Sequence, residues 1–342
     1  MRSFASDNYS GVHPEVMDAI MQANKDHMSS YGADPVSAEA VELFREHFGK
    51  DAKVFFLGTG TATNTLILKH LTRSWNSIIC SECAHITVDE CGSCEAVAGL
   101  KLVHAETLNG KIQVDALEPL FAQVGDVHRS QPAVISITQN TELGTLYSVE
   151  EIRALCDFAH GRGLVVHMDG ARIANAAAAL GVSLREMTVD CGVDVLSFGG
   201  TKNGCMCAEA AVFINSDLGK DFEYVRKQGM QLVSKMRYVG AQFKALFTDD
   251  LWKRNAEHSN SMAAKLAELA GRIDGVRITR PVEANGVFAI IPESVTAAMQ
   301  SAFPFYVWDH TTGEVRWMTS WSTTDKDIED FCAELSRLMG EA

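Results

Sequence analysis

The stretch DVLSFGGTKNG, Asp194 to Gly204, sets Lys202 just past a short apolar run, among glycines and small hydroxyl residues. A solvated surface lysine needs no such setting, whereas an amine nucleophile needs a fixed position and a lowered pKa. A second apolar run, LVVHM, ends in DGAR, which puts Asp169 at the run's end and Arg172 shortly after it. A third, KVFFL, leads into GTGTATN; Gly58 and Gly60 admit close backbone approach, and the N–H groups of a following helix, with the hydroxyls of Thr59, Thr61 and Thr63, suit an anion. A fourth, SIIC, is followed by His85. Each signal has a plain structural reading. Asp169 would serve as a helix cap, and the Gly/Thr loop as a strand-to-helix turn that matches neither the dinucleotide nor the Walker pattern. Together, a phosphate cradle, a strand-end carboxylate and a loop amine make up a pyridoxal phosphate site. The lysine forms a Schiff base, the aspartate keeps the pyridine nitrogen protonated, and the helix N-terminus takes the phosphate. His85 is placed to stack on a planar cofactor.

Such a site requires the four run ends to meet at one sheet edge. In open α/β sheets that edge is the carboxyl one. From Lys53 onward the chain alternates short β-branched or apolar runs with helical patterns: KVFFLG then TATNTLILKHL, SIIC then ITVDECGSCEAVAG, KLVHAE, and AVISIT then SVEEIRALCDFAHGRG. This alternation predicts an α/β fold with a mainly parallel sheet. The 33 residues from Asp169 to Lys202 allow one helix and a return strand, which brings both groups to the same edge. Ser148 with Glu151, and Thr324 with Asp327, read as capping boxes, and GRG at Gly161 to Gly163 as a helix stop. After about Phe243 the alternation loosens into the helical NAEHSNSMAAKLAELAGRI, the runs GVFAII and VRWMTSW, and a last helix, a pattern that predicts a smaller α+β unit. The expected organisation is an N-terminal arm and helix over 1–22, a large cofactor-binding domain over 23–242 and a small C-terminal domain over 243–342. There is no internal repeat and no low-complexity tract.

Composition narrows the partners. A formal net charge of −14, from 44 acidic and 30 basic residues, opposes nucleic acid and anionic membrane surfaces. MRSFASDNYSG lacks the apolar core of a signal peptide, and no segment approaches the roughly 20 apolar residues of a membrane span. A cytoplasmic enzyme is the expectation. Nine cysteines without a secretion signal read as reduced thiols. Cys80, Cys83, Cys91 and Cys94 form two CxxC pairs, yet the seven-residue gap is shorter than zinc-ribbon spacing and nothing else suggests a metal-stapled module. No metal is expected.

Over essentially its full length the chain resembles the low-specificity L-threonine aldolases, pyridoxal phosphate enzymes of fold type I. The resemblance rests on FASDNYSG, SSYGADP, GTGTATN, ECAHITVDECG, HMDGAR, FGGTKNG, SKMR and PVEANGVF, and HMDGAR with FGGTKNG is most similar to the bacterial branch. It implies Lys202 as the Schiff-base lysine, Asp169 as partner of the pyridine nitrogen, Gly60 and Thr61 as phosphate ligands and His85 as the stacking imidazole. Arg172, which also touches the cofactor, Arg316 and Ser6 are implied as the substrate carboxylate clamp. His128 falls where the family has a second active-site histidine near the β-hydroxyl. Tyr31, for substrate, and Arg237, for cofactor, are implied to reach the site across a dimer interface, in a homo-oligomer that is a dimer or a dimer of dimers. The implied reaction cleaves L-threonine, L-allo-threonine and related β-hydroxy-α-amino acids, phenylserine among them, to glycine and an aldehyde. Either His85 or a water held by His85 and His128 takes the β-hydroxyl proton. The Asp169 and Lys202 pair would equally serve a β-eliminating lyase or an aminotransferase, and a noncatalytic pyridoxal phosphate carrier or regulator is the alternative of another class. Arg316, among the strand residues of VRWMTSW, also reads as a satisfied interface cation.

Overall fold

Alternating apolar runs and capped helices build two sheets, seen in a computed structural model that describes residues 2–341. Strands β1 (Lys53–Leu57), β2 (Asn76–Ser81) and β3 (Lys101–Ala105) are followed by a small hairpin, β4 (Thr107–Leu108) and β5 (Lys111–Ile112). Next come β6 (Gln131–Thr138), β7 (Val165–Gly170), β8 (Val195–Gly199) and β9 (Glu209–Phe213). The large sheet has the order β1-β9-β8-β7-β6-β2-β3. All its strands run parallel except β9, which is antiparallel to both β1 and β8. The central strands β8 and β9 are buried along their whole length, as expected of strands covered on both faces.

A second sheet is formed by β10 (Arg277–Ile278), β11 (Gly286–Ile290), β12 (Tyr306–Asp309) and β13 (Glu314–Met318), in the order β10-β11-β13-β12 and entirely antiparallel. The helices Leu251–Ala270 and Asp325–Glu341 cover it, with Trp317, Phe331 and Leu335 in their shared core. Phe4 belongs to that core too. Its N–H donates to Pro304 O and its carbonyl accepts from Met318 N–H, so the first residues of the chain are stitched to the small sheet.

Both capping boxes form. Ser148 and Glu151 satisfy each other's backbone N–H groups at the start of Val149–His160, as Thr324 and Asp327 do ahead of the last helix. The pattern ITVDECGSCEAVAG does not form one helix. Cys91 and Gly92, at φ 52° and 65°, split it into the single turns His85–Val88 and Ser93–Ala96. The break turns Glu90 inward, where it is 4 % exposed.

Two glycines hold the Lys202 loop close. A Cβ on Gly199 would lie 2.8 Å from the backbone of Ala171, so only glycine lets the end of β8 lie against the chain leaving β7. Gly204 has φ +101°, open to glycine and strained for other residues.

Candidate active site

Strand register does what the 33-residue spacing demanded. Asp169 pairs with Thr138 on β6 and Ser197 on β8, at the carboxyl edge where Lys202 emerges in the turn Thr201–Asn203 after β8. A cleft of about 490 Å³, counted out to open solvent, lies there, lined by Lys202, Asp169, Gly60, Thr61, His85 and Arg172, together with Asn64, Glu90, Asn140, Glu142 and Glu209. Gly60 and Thr61 begin the twelve-residue helix Gly60–Leu71, whose cap Thr59 accepts from Ala62 N–H. First-turn N–H groups have no acceptor one turn back within a helix; Ala62 and Thr63 N–H find Thr59, which leaves those of Gly60 and Thr61, the two residues that line the cleft.

Burial, reinforced by the charge of Arg172, lowers the Lys202 pKa, which favours the neutral amine a nucleophile needs. Asp169 is held at both oxygens, by Ala171 N–H at 2.9 Å and Asn64 Nδ2 at 2.8 Å. Asn64 Nδ2 also donates to Glu90 Oε1, and the same oxygen lies 2.9 Å from His85 Nδ1. The Glu90 hydrogen bond raises the His85 pKa against the opposing effect of burial. A polar chain thus runs from His85 through Glu90 and Asn64 to Asp169. Two further carboxyls are driven up to about 7 by burial: Glu142, whose Oε1 accepts His85 N–H at 2.7 Å, and Glu209, whose Oε1 accepts from Thr201 Oγ1.

Pyridoxal phosphate fits this residue set. Asn64 Oδ1 and Asn140 Oδ1 both line the cleft and are buried without a protein partner. Buried polar atoms are rarely left so unless a ligand or water meets them. Helix N–H groups suit the phosphate, Asp169 a pyridinium nitrogen, and the Lys202 amine an aldehyde carbon.

Several expected positions need correction. His128 is not among the groups of this chain's cleft. It lies exposed in the loop before β6, beside Ser77 and Lys101 at the amino ends of β2 and β3. The eight residues of β6, about 26 Å of strand, separate that end from the carboxyl edge. Ser6 does not line the cleft either. Its hydroxyl caps the turn Asp7–Tyr9 by accepting Asn8 N–H, and it faces a separate hollow beside Arg2 and Tyr9. That turn carries Asp7 inward instead, onto Arg172: Nε to Oδ2 is 2.7 Å and Nη2 to Oδ1 3.0 Å. The forked edge expected to grip a substrate carboxylate is therefore taken by Asp7. Burial pushes the Asp7 carboxyl up, but the charge and hydrogen bonds of Arg172, helped by Lys202, outweigh it and hold it at about 2.

Arg316, on β13, is not among the groups that line the cleft but lies near Arg172 and Asp7; it has no carboxylate partner among the described residues, and its Nε is buried without an acceptor. Trp308 lies under its guanidinium at 4.5 Å. Burial and the charge of Arg172 push it down to about 10, which marks a cation short of an anion. Tyr31 and Arg237 lie outside the cleft. Tyr31 is 49 % exposed with φ 61°, and Arg237 donates to the carbonyls of Lys25 and Asp26. The CxxC cysteines form no metal-holding group among the described residues: Cys80 and Cys94 are buried in one apolar cluster and Cys91 is exposed. Among the described residues no group of His, Cys, Asp or Glu is arranged to hold a metal, and no helix is long and apolar enough to cross a membrane.

Known proteins share this architecture. The sequence model of the family described as Beta-eliminating lyase matches residues 3–294. The low specificity L-threonine aldolase of Pseudomonas aeruginosa is 42% identical over 341 residues, covering 99% of this chain and 98% of that one. A threonine aldolase structure from Leishmania major superposes with a TM-score of 0.92 at 30% identity, covering 99% of this chain and 100% of the other. Aspartate aminotransferase from Thermus thermophilus, at 14% identity and TM-score 0.68, shares the fold, with 98% of this chain and 90% of that one covered. With a family match over most of its length and a relative this similar from end to end, the chain belongs to the beta-eliminating lyase family, within the group of the low-specificity L-threonine aldolases.

Proposed function

We propose that this chain is a pyridoxal phosphate-dependent lyase that cleaves L-threonine and related β-hydroxy-α-amino acids to glycine and an aldehyde. The observation that carries the reading is a half-buried amine, Lys202, at one sheet edge with Asp169, Arg172 and the N-terminus of Gly60–Leu71, in a chain 42% identical to a low specificity L-threonine aldolase. When bound, the cofactor supplies an electron sink for the pair left at Cα as a bond to Cα breaks. Lys202 would hold it through its amine, Gly60 and Thr61 would hold its phosphate, and Asp169, oriented by Asn64 and Ala171, would pair with its ring nitrogen. His85, fixed by Glu90, packs on its ring. Arg316 grips the substrate carboxylate and thereby chooses which Cα bond is presented for cleavage. Arg172, its Nε and Nη2 spent on Asp7, has its remaining Nη1 to offer the cofactor or the substrate.

The direct test incubates the purified, cofactor-loaded protein with threonine and with phenylserine and follows aldehyde and glycine. Ammonia with a keto acid would instead show a β-eliminating lyase, a transferred amino group an aminotransferase, and cofactor binding without turnover a carrier.

Substitution of Arg316 tests the clamp. Arg316→Lys keeps the charge and loses the fork, and a charge-assisted pair of this kind is worth roughly 1.5 to 3 kcal/mol. At 1.4 kcal/mol per decade, kcat/KM for threonine should fall at least about tenfold. Cofactor absorbance should persist. An unchanged kcat/KM, or loss of the chromophore along with the activity, makes Arg316 structural.

Assembly gives another test. Tyr31 and Arg237 complete a neighbour's cleft in this reading, in a cytoplasmic homo-oligomer that is a dimer or a tetramer built from dimers. Sedimentation of active fractions should show no active species smaller than a dimer, and a fully active monomer would overturn their placement.

A further inference from the structure

With His128 at the far edge of the sheet, the acceptor of the β-hydroxyl proton has to be found among the groups that line the cleft. We propose that Glu142 is the catalytic base that takes this proton, an assignment that rests on the retro-aldol reading above. Glu142 lies in the loop after β6, on the cleft wall shared with His85 and Arg172. Its Oε1 is fixed by His85 N–H at 2.7 Å, and its Oε2 is buried with no partner. Among the described residues it is the only carboxylate with a buried oxygen left unpaired. Of the other carboxylates, Asp169 has both oxygens on Ala171 and Asn64, Glu90 on His85, Asn64 and Ser93, and Asp7 on Arg172, while Glu209 gives Oε1 to Thr201 on the far side of Lys202 from His85 and is the one other cleft carboxyl with an oxygen to spare. His85 is a poorer acceptor, because Glu90 occupies its Nδ1 and draws the ring toward the cation.

An oxygen with an open lone pair inside a closed cleft costs free energy until a donor meets it, and the β-hydroxyl is a donor. Burial holds the Glu142 carboxyl at about 7, opposed by its own N–H, by that of His85 and, least, by the Thr138 side chain, and reinforced by the charge of Asp169. Such a value leaves the group both deprotonated in part and basic at working pH. The other titratable or charged groups that face it are Arg172 beyond β7, Cys80 and Cys83 at the end of β2, and Tyr147 farther along its own loop.

The proton balance closes. The hydroxyl O–H bond breaks with its proton passing to Oε2, the O–H electron pair becomes the second bond of the aldehyde carbonyl, and the Cα–Cβ bond breaks with its pair left on Cα. Protonation of Cα by one proton gives glycine. Glu142 then releases the one it took, directly or through water, and no net proton is consumed.

Glu142→Gln keeps the acceptor for His85 N–H and removes the base. With the cofactor-loaded protein, kcat/KM for threonine should fall about a hundredfold to ten-thousandfold, and the acid limb near neutral pH should disappear from what remains. Glycine, which has no β-hydroxyl, should bind as it does to the parent. Glu142→Asp, which keeps an ionisable group, should restore an acid limb. If cofactor absorbance shows that E142Q has not folded, the limb in E142D decides. A readout independent of turnover is the infrared carboxylic-acid band: the difference between parent and E142Q, which cancels Glu209, should contain one band that fades as pH rises through about 7. A parent that cleaves threonine beside an E142Q that does so equally, with the same acid limb, overturns the base role alone. So does a difference spectrum without the titrating band. A parent that cleaves no β-hydroxy amino acid overturns the functional reading and the base role with it.

Discussion

Lys202→Ala should lose the visible absorbance that borohydride reduction removes from the parent, and its turnover of threonine should fall by at least about a thousandfold, or 4 kcal/mol of transition-state stabilisation at 1.36 kcal/mol per decade. The expectation follows from position. Lys202 is the amine of the cleft, half-buried, and desolvation together with the charge of Arg172 destabilises its charged form. Alanine keeps the loop's backbone, whose path is set by Gly199, Gly204 and the return strand β9, so the fold should survive. Far-ultraviolet circular dichroism of the variant should match the parent. A variant that keeps both the reducible chromophore and the turnover would remove Lys202 from the chemistry.

Asp7→Ala should cost about 3 to 5 kcal/mol of stability in equilibrium denaturation, the penalty of leaving a buried guanidinium without its partner. Arg172 is only 14% exposed at its side chain and Asp7 not at all, and Asn285 Nδ2 loses its Asp7 acceptor in the same substitution. The pair also has a pH signature. Asp7 stands at about 2 in the folded chain against an ordinary 3.8, so the unfolded chain binds more protons in that window. The stability the pair contributes is complete above about pH 4 and is lost as pH falls through 2. Melting curves of the parent should shift down across that interval more steeply than those of Asp7→Ala. A loss below 1 kcal/mol at neutral pH would mean that water replaces the carboxylate beside Arg172.

The parallel sheet, both capping boxes and the convergence of Lys202, Asp169, Gly60, Thr61 and His85 were legible because each follows from local pattern plus one rule, that ligands sit beyond the carboxyl ends of strands. The residues that escaped show where the rule stops. Glu142 follows the run AVISIT, a fifth strand end that could have been read like the other four. Glu209 could not be found that way. It is the first residue of the reversed strand β9 and faces Leu57 and Gly199, so it reaches the edge from its amino end. Glu90 was hidden inside an apparent helix that Cys91 and Gly92 break. Asp7 lies 165 residues from Arg172, and no periodicity records a pairing across that separation. His128 sits before β6 at the amino ends of β2 and β3, away from this chain's own cleft, a placement no local pattern in GDVHRS announces.

The stitching of Phe4 to the last strand sets the order in which the molecule can become complete. During synthesis the large sheet has all its strands once Phe213 has emerged, and Lys202 and Asp169 can then meet. Asp7, however, is carried by a segment whose backbone partners are Pro304 and Met318, close to the other end of the chain. Until those residues leave the ribosome, Arg172 lacks the anchored carboxylate that neutralises it and Arg316 has not taken its place on β13. Contacts this distant in sequence form late because the intervening chain must first be ordered. A nascent chain, or one truncated within the last strand, can therefore assemble the lysine's half of the cleft while lacking the half that grips a substrate.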